Sequence, residues 1–252
     1  VGRITSISTV LIKCNVISYT LMRTVEIEVI LPTVTIPESL MKAGDIHHEY
    51  PAKFPVVYLL HGFGNNQSQW TGYTNVELYA EERQIAIVMI SGENKNYIDM
   101  GKDLFEKFIE DELPEFICNT FPISNKKEDS FIAGLSMGGF GALYHGILNS
   151  NKYNAIGAFS PAVRMQNNPI NIFEVLEKAK EAPKMFIACG EEDFVYEDVK
   201  DFVNKIKEKG FDLTWISADG YEHEWRFWNI CIEKFLDWIE RTDYYSNKIR
   251  KI

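Results

Sequence analysis

The sequence lacks closely spaced cysteine pairs and long apolar runs, and these two absences exclude the largest number of protein classes. Four cysteines occur in 252 residues, far apart and without a C-x-x-C pair, so the usual redox and cysteine-rich metal motifs are missing. No run reaches the roughly 18 to 20 apolar residues that a membrane-spanning helix needs. Residues 1–10 also lack the continuous apolar core of a signal peptide. We therefore expect free buried thiols, no metal site and a cytoplasmic location.

Basic residues are scarce as well. The chain has 26 Lys and Arg against 36 Asp and Glu, and its formal net charge is −10. An acidic surface repels both nucleic acid and anionic membranes, so the charge argues against either partner. A small molecule is the better candidate ligand, and an assembly of identical subunits is compatible with this composition.

Domain organisation follows from length and from the absence of internal boundaries. With 46% hydrophobic residues, a chain of this size buries one substantial core. It contains no internal repeat, low-complexity tract or interdomain linker. We expect a single domain over residues 1–252.

Short apolar runs alternate with longer amphipathic segments along most of the chain, which is typical of a mostly parallel sheet with helices on both faces. The apolar runs predict six central strands, at 56–60, 85–90, 131–133, 156–159, 185–189 and 213–216. The segments between and after them predict helices at 75–84, 103–119, 137–149, 172–181, 197–209 and 225–241. Residues 24–31 alternate between apolar and polar, which predicts a half-exposed antiparallel strand at an edge of the sheet. The polar segment 37–55 is predicted to be a surface loop.

The most informative motif is G-x-S-x-G at residues 134–138, between a predicted strand and a predicted helix. A nucleophile on a sharp strand-to-helix turn needs a glycine two residues before it and another two residues after it, because side chains there would collide with neighbouring backbone. Gly134 and Gly138 meet that requirement around Ser136. The helix start also directs N–H groups and the positive end of its dipole towards this serine. We therefore predict that Ser136 is a nucleophile.

A second glycine-rich turn, His61-Gly62-Phe63-Gly64, follows the first predicted central strand. Ligands bind at this end of the strands in open α/β sheets. The turn is thus a candidate oxyanion loop, with the backbone N–H of Phe63 as one donor and the N–H of Met137, just after the nucleophile, as the other. His61 is predicted to hold the loop rather than to move protons.

The positions of the remaining histidines in the sequence show which of them is a candidate general base. His47 and His48 lie in the polar loop, where a solvated turn is the simpler interpretation. His145 lies roughly 13 Å along the helix from its start, given the rise per residue, and is too far from Ser136 to act as its base. His223 follows the last predicted strand and precedes the final helix, so we predict that it is the general base.

A carboxylate that orients the base must also stand at the strand ends. The segment after 185–189 reads Gly190-Glu191-Glu192-Asp193. Asp193 is the preferred acid, with Glu192 and Asp198 as alternatives. The resulting order of serine, acid and histidine along the chain is the one expected of α/β-hydrolases.

These motifs resemble the putative esterases related to esterase D and carbohydrate esterase family 1, and among them the bacterial tributyrin esterases. The resemblance covers most of the chain and rests on four segments: YLLHG at 58–62, FIAGLSMGGFGAL at 131–143, CGEEDF at 189–194 and HEW at 223–225. It implies an α/β-hydrolase fold and a serine carboxylesterase, with the triad Ser136, Asp193 and His223 and the oxyanion donors Phe63 and Met137.

The short connection from Ser160 to Pro183, together with the bulky Phe63, Trp70 and Trp225, predicts a small-molecule ester substrate with a short acyl group, acetyl to butyryl, on a carbohydrate or aromatic alcohol. Trp70 and Trp225 are candidate pocket residues, although core packing is an equal interpretation for Trp70. No metal or organic cofactor is required. Related families leave four alternatives open: an acyltransferase, an S-formylglutathione hydrolase, a feruloyl or acetylxylan esterase, and a silent binding module.

Overall fold

Eight strands form one sheet in the computed structural model, which describes residues 9–33, 49–165 and 168–248. In chain order the strands are β1 (Thr9–Ser18), β2 (Arg23–Pro32), β3 (Val56–Leu60), β4 (Ala86–Ile90), β5 (Ser130–Leu135), β6 (Ala155–Phe159), β7 (Lys184–Gly190) and β8 (Leu213–Ala218). Their order across the sheet is β1-β2-β4-β3-β5-β6-β7-β8. Strands β3 to β8 run parallel, whereas β1 and β2 are antiparallel to their neighbours. The six predicted central strands and the mostly parallel sheet are confirmed.

Helices fill the connections between the parallel strands. They are α1 (Gln69–Tyr73), α2 (Val76–Arg83), α3 (Phe105–Lys107), α4 (Leu113–Thr120), α5 (Met137–Leu148), α6 (Ile172–Lys178), α7 (Tyr196–Lys209) and α8 (Trp225–Trp238). A π-helical turn, Phe108–Glu112, joins α3 directly to α4. The six predicted helices are therefore present, with α3, the π turn and α4 together forming the second of them. The short α1 was not predicted.

One expectation about the sheet was wrong. Strand β2 lies between β1 and β4 and is not an edge. Strand β1 covers it as the other arm of a hairpin, in which Ser18 pairs with Arg23. Because of this pairing Glu28, expected on an exposed face, is buried and forms an ion pair with Lys13 at 3.1 Å. Exposed apolar residues in β1, such as Ile17, obscure the alternation by which such a strand is recognised.

Two apolar clusters cover the two faces of the sheet. On one face α5 and α7 pack over the strands, through residues such as Phe140 and Phe202. On the other face α2 and α8 do so, through residues such as Tyr79 and Phe235. The central strands are thereby covered on both faces, whereas β1 and β8 are partly exposed. The loops at the carboxyl ends of the parallel strands are where ligands bind in such a sheet.

Within the described ranges, no helix has the length and apolar composition needed to cross a bilayer. Most of the predicted loop at 37–55, namely residues 37–48, lies outside the described part of the chain. His47 and His48 belong to this part of the loop.

Candidate active site

Ser136 lies on the sharp turn between β5 and α5. Its backbone has φ 51° and ψ −116°. Residues other than glycine rarely adopt this conformation, and they keep it only when the surrounding structure fixes it. The Ser136 N–H donates to the carbonyl of Phe159 on β6 at 2.9 Å. A Cβ on Gly134 would overlap the backbone of Gly138, and a Cβ on Gly138 would overlap the carbonyl of Leu60. The glycines at these two positions are thus required by contact.

His223 joins Ser136 to Asp193. Its Nε2 lies 3.0 Å from the Oγ of Ser136, and its Nδ1 lies 2.8 Å from Oδ2 and 3.0 Å from Oδ1 of Asp193. These distances are within hydrogen-bond range. The three residues come from the loops after β5, β7 and β8, and the structure brings together the nucleophile, base and acid that the sequence predicted.

Asp193 is a buried carboxylate held in its charged form. Burial acts to raise its pKa, but hydrogen bonds from His223, from the N–H of Val195 and from Ser160 outweigh burial and lower the pKa below its usual value. The Val195 N–H donates to Oδ1 at 3.0 Å. A carboxylate in this state orients the imidazole and stabilises its protonated form.

The two alternative acids are not placed to contact the base. Glu192 is exposed, and its N–H donates to the carbonyl of Tyr221 at 3.2 Å. Asp198 accepts from Arg164 at 2.8 Å. A Cβ on Gly190 would also collide with the carbonyl of Tyr221, so the glycine lets the loops after β7 and β8 approach each other and brings Asp193 beneath His223.

The two candidate oxyanion donors come from different elements of the fold. Met137 is the first residue of α5, where backbone N–H groups have no acceptor within the helix. Phe63 belongs to the turn after β3, with its ring exposed. In the same turn, a Cβ on Gly62 would lie 2.5 Å from Leu135 Cδ1 and 3.4 Å from Ser136 Cβ. The turn is therefore packed directly against the nucleophile.

His61 holds this turn from below. It is fully buried, its Nδ1 lies 2.7 Å from the carbonyl of Gly62, and its Nε2 accepts from the N–H of Gly92 at 2.8 Å. Burial lowers its pKa, against a smaller opposing effect of the bond to Gly62. The predicted structural role of His61 is confirmed. His145 also fulfils its prediction, because its ring nitrogens lie 2.7 Å from Glu110 and from the carbonyl of Tyr97 and not near Ser136.

The two tryptophans expected at the pocket differ in position. Trp70 is fully buried, and its indole N–H donates to the carbonyl of Leu60 at 3.2 Å. It forms part of the core, so its assignment as a pocket residue is corrected in favour of the packing interpretation. Trp225 is half-buried and stacks on the exposed Tyr73, with ring centroids 5.1 Å apart.

Three residues around the base were not predicted. The ring of Phe194 is exposed and lies 4.6 Å from that of His223 between centroids. Trp228 packs edge-on against the same imidazole at 4.9 Å and donates to Ser160 Oγ at 3.1 Å. Ser160 directly follows β6, at the edge of the sheet where ligands bind. This position is the feature of the sequence that could have identified it as a site residue. Phe194 lies one residue after the predicted acid, and Trp228 lies within the last helix. Only their tertiary contacts with His223 identify them as residues of the site.

No group of three or more His, Cys, Asp and Glu residues suited to a metal ion occurs in the part of the chain that the structure covers.

Comparisons with known proteins bear on the family and the fold of the chain. The sequence model of the putative esterase family matches residues 45–210; His223 lies beyond the matched segment. An acetyl esterase from Caldicellulosiruptor saccharolyticus is 28% identical in an alignment of 222 positions that covers 74% of this chain and 83% of that protein.

Solved structures show the same fold at low identity. An S-formylglutathione hydrolase from Staphylococcus aureus superposes with a TM-score of 0.78 at 24% identity, over 92% of this chain and 99% of that one. A ferulic acid esterase from Anaeromyces mucronatus gives a TM-score of 0.73 at 19% identity, over 98% and 94% of the two chains. The predicted α/β-hydrolase fold is confirmed.

Proposed function

The chain belongs to the putative esterase family and is a carboxylic ester hydrolase, and from this premise we propose that it hydrolyses short-chain acyl esters, acetyl to butyryl, through an acyl-enzyme on Ser136. The observation that carries the proposal is the continuous hydrogen-bonded series from Ser136 through His223 to Asp193. The series joins a nucleophile, a base and an orienting acid at the carboxyl ends of parallel strands.

In the first half-reaction His223 Nε2 takes the proton of Ser136 as Oγ attacks the ester carbonyl. The backbone N–H groups of Phe63 and Met137 stabilise the oxyanion. The tetrahedral intermediate then collapses: the bond to the alcohol oxygen breaks, and His223 donates the proton to that oxygen. The acyl group remains on Ser136 as an ester.

In the second half-reaction His223 removes a proton from water, which attacks the acyl-enzyme. The tetrahedral intermediate collapses, Ser136 recovers its proton and the carboxylic acid leaves. Throughout, Asp193 keeps Nδ1 protonated and stabilises the imidazolium that forms twice in each cycle.

The short acyl preference rests on the segment between β6 and β7. Its described helix, α6, has only seven residues, which leaves little chain for the extended apolar cover that a long acyl tail requires. Each buried methylene contributes only about 0.8 kcal/mol, so tight binding of a long tail needs many such contacts. The similarity to an acetyl esterase supports the same preference.

Aromatic acyl esters are a second candidate substrate class. Two aromatic rings at the site are largely exposed, Phe63 at 71% and Phe194 at 80%. They extend from the loops that carry one oxyanion donor and the acid, and exposed rings of this kind favour contact with a planar aromatic group. The likeness to a ferulic acid esterase is consistent with this class.

A hydrolysis screen separates the candidates. We would measure kcat/KM for p-nitrophenyl acetate, p-nitrophenyl butyrate, methyl ferulate and S-formylglutathione, with Ser136→Ala as the control. We expect the highest value for the acetyl or butyryl ester. A higher value for methyl ferulate would transfer the proposal to aromatic esters, and a higher value for S-formylglutathione would transfer it to thioesters. Product analysis with added alcohols reports acyl transfer in place of hydrolysis.

A further inference from the structure

Tyr97, in the loop after β4, contacts the turn that carries the first oxyanion donor. The side chain is fully buried, and its hydroxyl donates to the carbonyl of His61 at 2.9 Å. A Cβ on Gly92 would lie 2.5 Å from Tyr97 Cε1, so the ring fills the space beneath the loops. Tyr97 thus supports the turn 61–64 from the interior of the protein.

The same residue also contacts the helix that carries the second donor. A Cβ on Gly141, in α5, would lie 2.8 Å from Cδ2 of Tyr97. One turn further along α5, His145 Nε2 lies 2.7 Å from the backbone carbonyl of Tyr97. Met137 begins this helix, so Tyr97 lies between the two elements that supply the candidate donors.

The loop that holds Tyr97 is fixed in an uncommon backbone conformation. Four of its residues have positive φ: Glu93 at 48°, Asn94 at 56°, Asn96 at 56° and Tyr97 at 60°. Such conformations persist only where surrounding contacts determine them, and they concentrate at functional sites.

Two further bonds tie this loop to the turn 61–64. The N–H of Gly92 donates to His61 Nε2 at 2.8 Å, and the N–H of Gly64 donates to Asn94 Oδ1 at 2.7 Å. Together with the Tyr97 hydroxyl, three hydrogen bonds therefore fix the turn on either side of Phe63.

We propose that Tyr97 is a positioning residue that sets the spacing between the backbone N–H groups of Phe63 and Met137. This proposal rests on the proposed function, because it presumes that these two groups bind the oxyanion. Tyr97 itself touches neither the substrate nor the reacting atoms. The energy of an oxyanion hydrogen bond depends on where the donors stand before the reaction, so a shift of the turn should lower transition-state binding more than substrate binding.

The test compares two tyrosines that make the same kind of bond in different places. Tyr97→Phe removes a buried hydroxyl that donates to a backbone carbonyl. Tyr245→Phe removes another, which donates to the carbonyl of Ala52 at 2.8 Å, before the start of β3 and so at the opposite end of that strand from the turn 61–64. Both variants are measured with p-nitrophenyl acetate after titration of active sites with a phosphonate ester, so that kcat refers to folded enzyme.

We expect Tyr97→Phe to lower kcat by roughly 10- to 100-fold, as small displacements of catalytic groups do, with KM within about threefold of the parent enzyme. A trifluoromethyl ketone, whose adduct with Ser136 carries an oxyanion, should bind more weakly by a similar factor. Tyr245→Phe should keep kcat within about twofold.

Three results would overturn the proposal: Tyr97→Phe with kcat within about twofold of the parent, equal losses in the two tyrosine variants, or a loss confined to KM. Failure of the proposed function is distinguishable from these, because Ser136→Ala would then retain activity.

A second pair of variants covers the case in which Tyr97→Phe does not fold. Gly141→Ala presses a methyl group onto the Tyr97 ring, whereas Gly146→Ala, on the same helix, presses one onto Ile156. A lower kcat in Gly141→Ala than in Gly146→Ala, at similar KM, supports the proposal. Equal kcat values in these two variants overturn it.

Discussion

The Nε2 of His223 lies 3.0 Å from the Oγ of Ser136, although 87 residues separate them in the chain. The approach depends on the close packing of two loops, because Gly190 admits the carbonyl of Tyr221 where any side chain would collide. The imidazole is further confined by the ring of Trp228 on one side and by that of Phe194 on another. In this arrangement the candidate base lies within hydrogen-bond distance of the candidate nucleophile.

Replacement of the nucleophile should abolish most of the activity. For Ser136→Ala we expect kcat to fall on the order of 10⁶-fold, because triad members act as a unit, while the thermal unfolding midpoint stays close to that of the parent. Steady-state hydrolysis of p-nitrophenyl acetate and a calorimetric scan test the two parts. Ser150→Ala, at a half-buried serine hydrogen-bonded to Glu181, is the control. A variant that kept more than about a tenth of the activity, with contamination excluded, would be incompatible with the assignment.

Two neighbouring carboxylates should differ strongly in their contribution. Asp193→Asn removes the charge that holds His223 in the required tautomer and should lower kcat by roughly 10⁴-fold. Glu192→Gln, one residue away and exposed, should change kcat little. Kinetics of the two variants at one pH give the comparison, and the opposite ranking would identify Glu192 as the acid.

The pH dependence of stability should carry a contribution from His61. Its pKa is lowered in the folded protein by burial, whereas the unfolded chain takes up a proton as the pH falls through about 6.5. The unfolded state thus binds more protons below that pH, and the free energy of unfolding decreases as the pH falls. A proton on Nε2 would also face the Gly92 N–H that it now accepts from.

His61→Asn provides the measurement. The variant lacks this titration, so its stability deficit relative to the parent should shrink by up to about 1.4 kcal/mol for each pH unit below roughly 6.5. Urea unfolding of both proteins between about pH 7.5 and pH 5.5 gives the two curves. Other titrating groups are common to both proteins and cancel. Parallel curves would mean that His61 takes up its proton equally in both states.

Acyl chain length should limit turnover. For p-nitrophenyl esters from acetate to decanoate, assayed without detergent, we expect kcat/KM to be highest between acetate and butyrate, because little chain is available at α6 to cover a longer tail. Ser136→Ala gives the background for each ester. A maximum at octanoate or beyond would require an acyl channel and would contradict the short-chain preference.

Local patterns were sufficient for most of the fold. The runs that became β3 to β7 are apolar because both faces of these strands are buried, and the pattern reports that burial directly. The sequence does not predict β1, and it therefore predicts β2 as an edge, because a hairpin partner with exposed apolar residues gives no clear alternation. Which strands pair depends on two segments together, so the sequence of one segment does not reveal its partner.

The sequence by itself determined the candidate nucleophile, since Gly134 and Gly138, the two glycines that a sharp strand-to-helix turn needs, flank Ser136 within five residues. It also determined the chain order of serine, acid and histidine. Only the tertiary structure decided that Asp193 and not Glu192 faces His223, that Trp70 belongs to the core, and that Tyr97 links the two sides of the site. These outcomes depend on which loops pack together, and contacts between distant segments follow from the fold of the whole chain rather than from any local pattern.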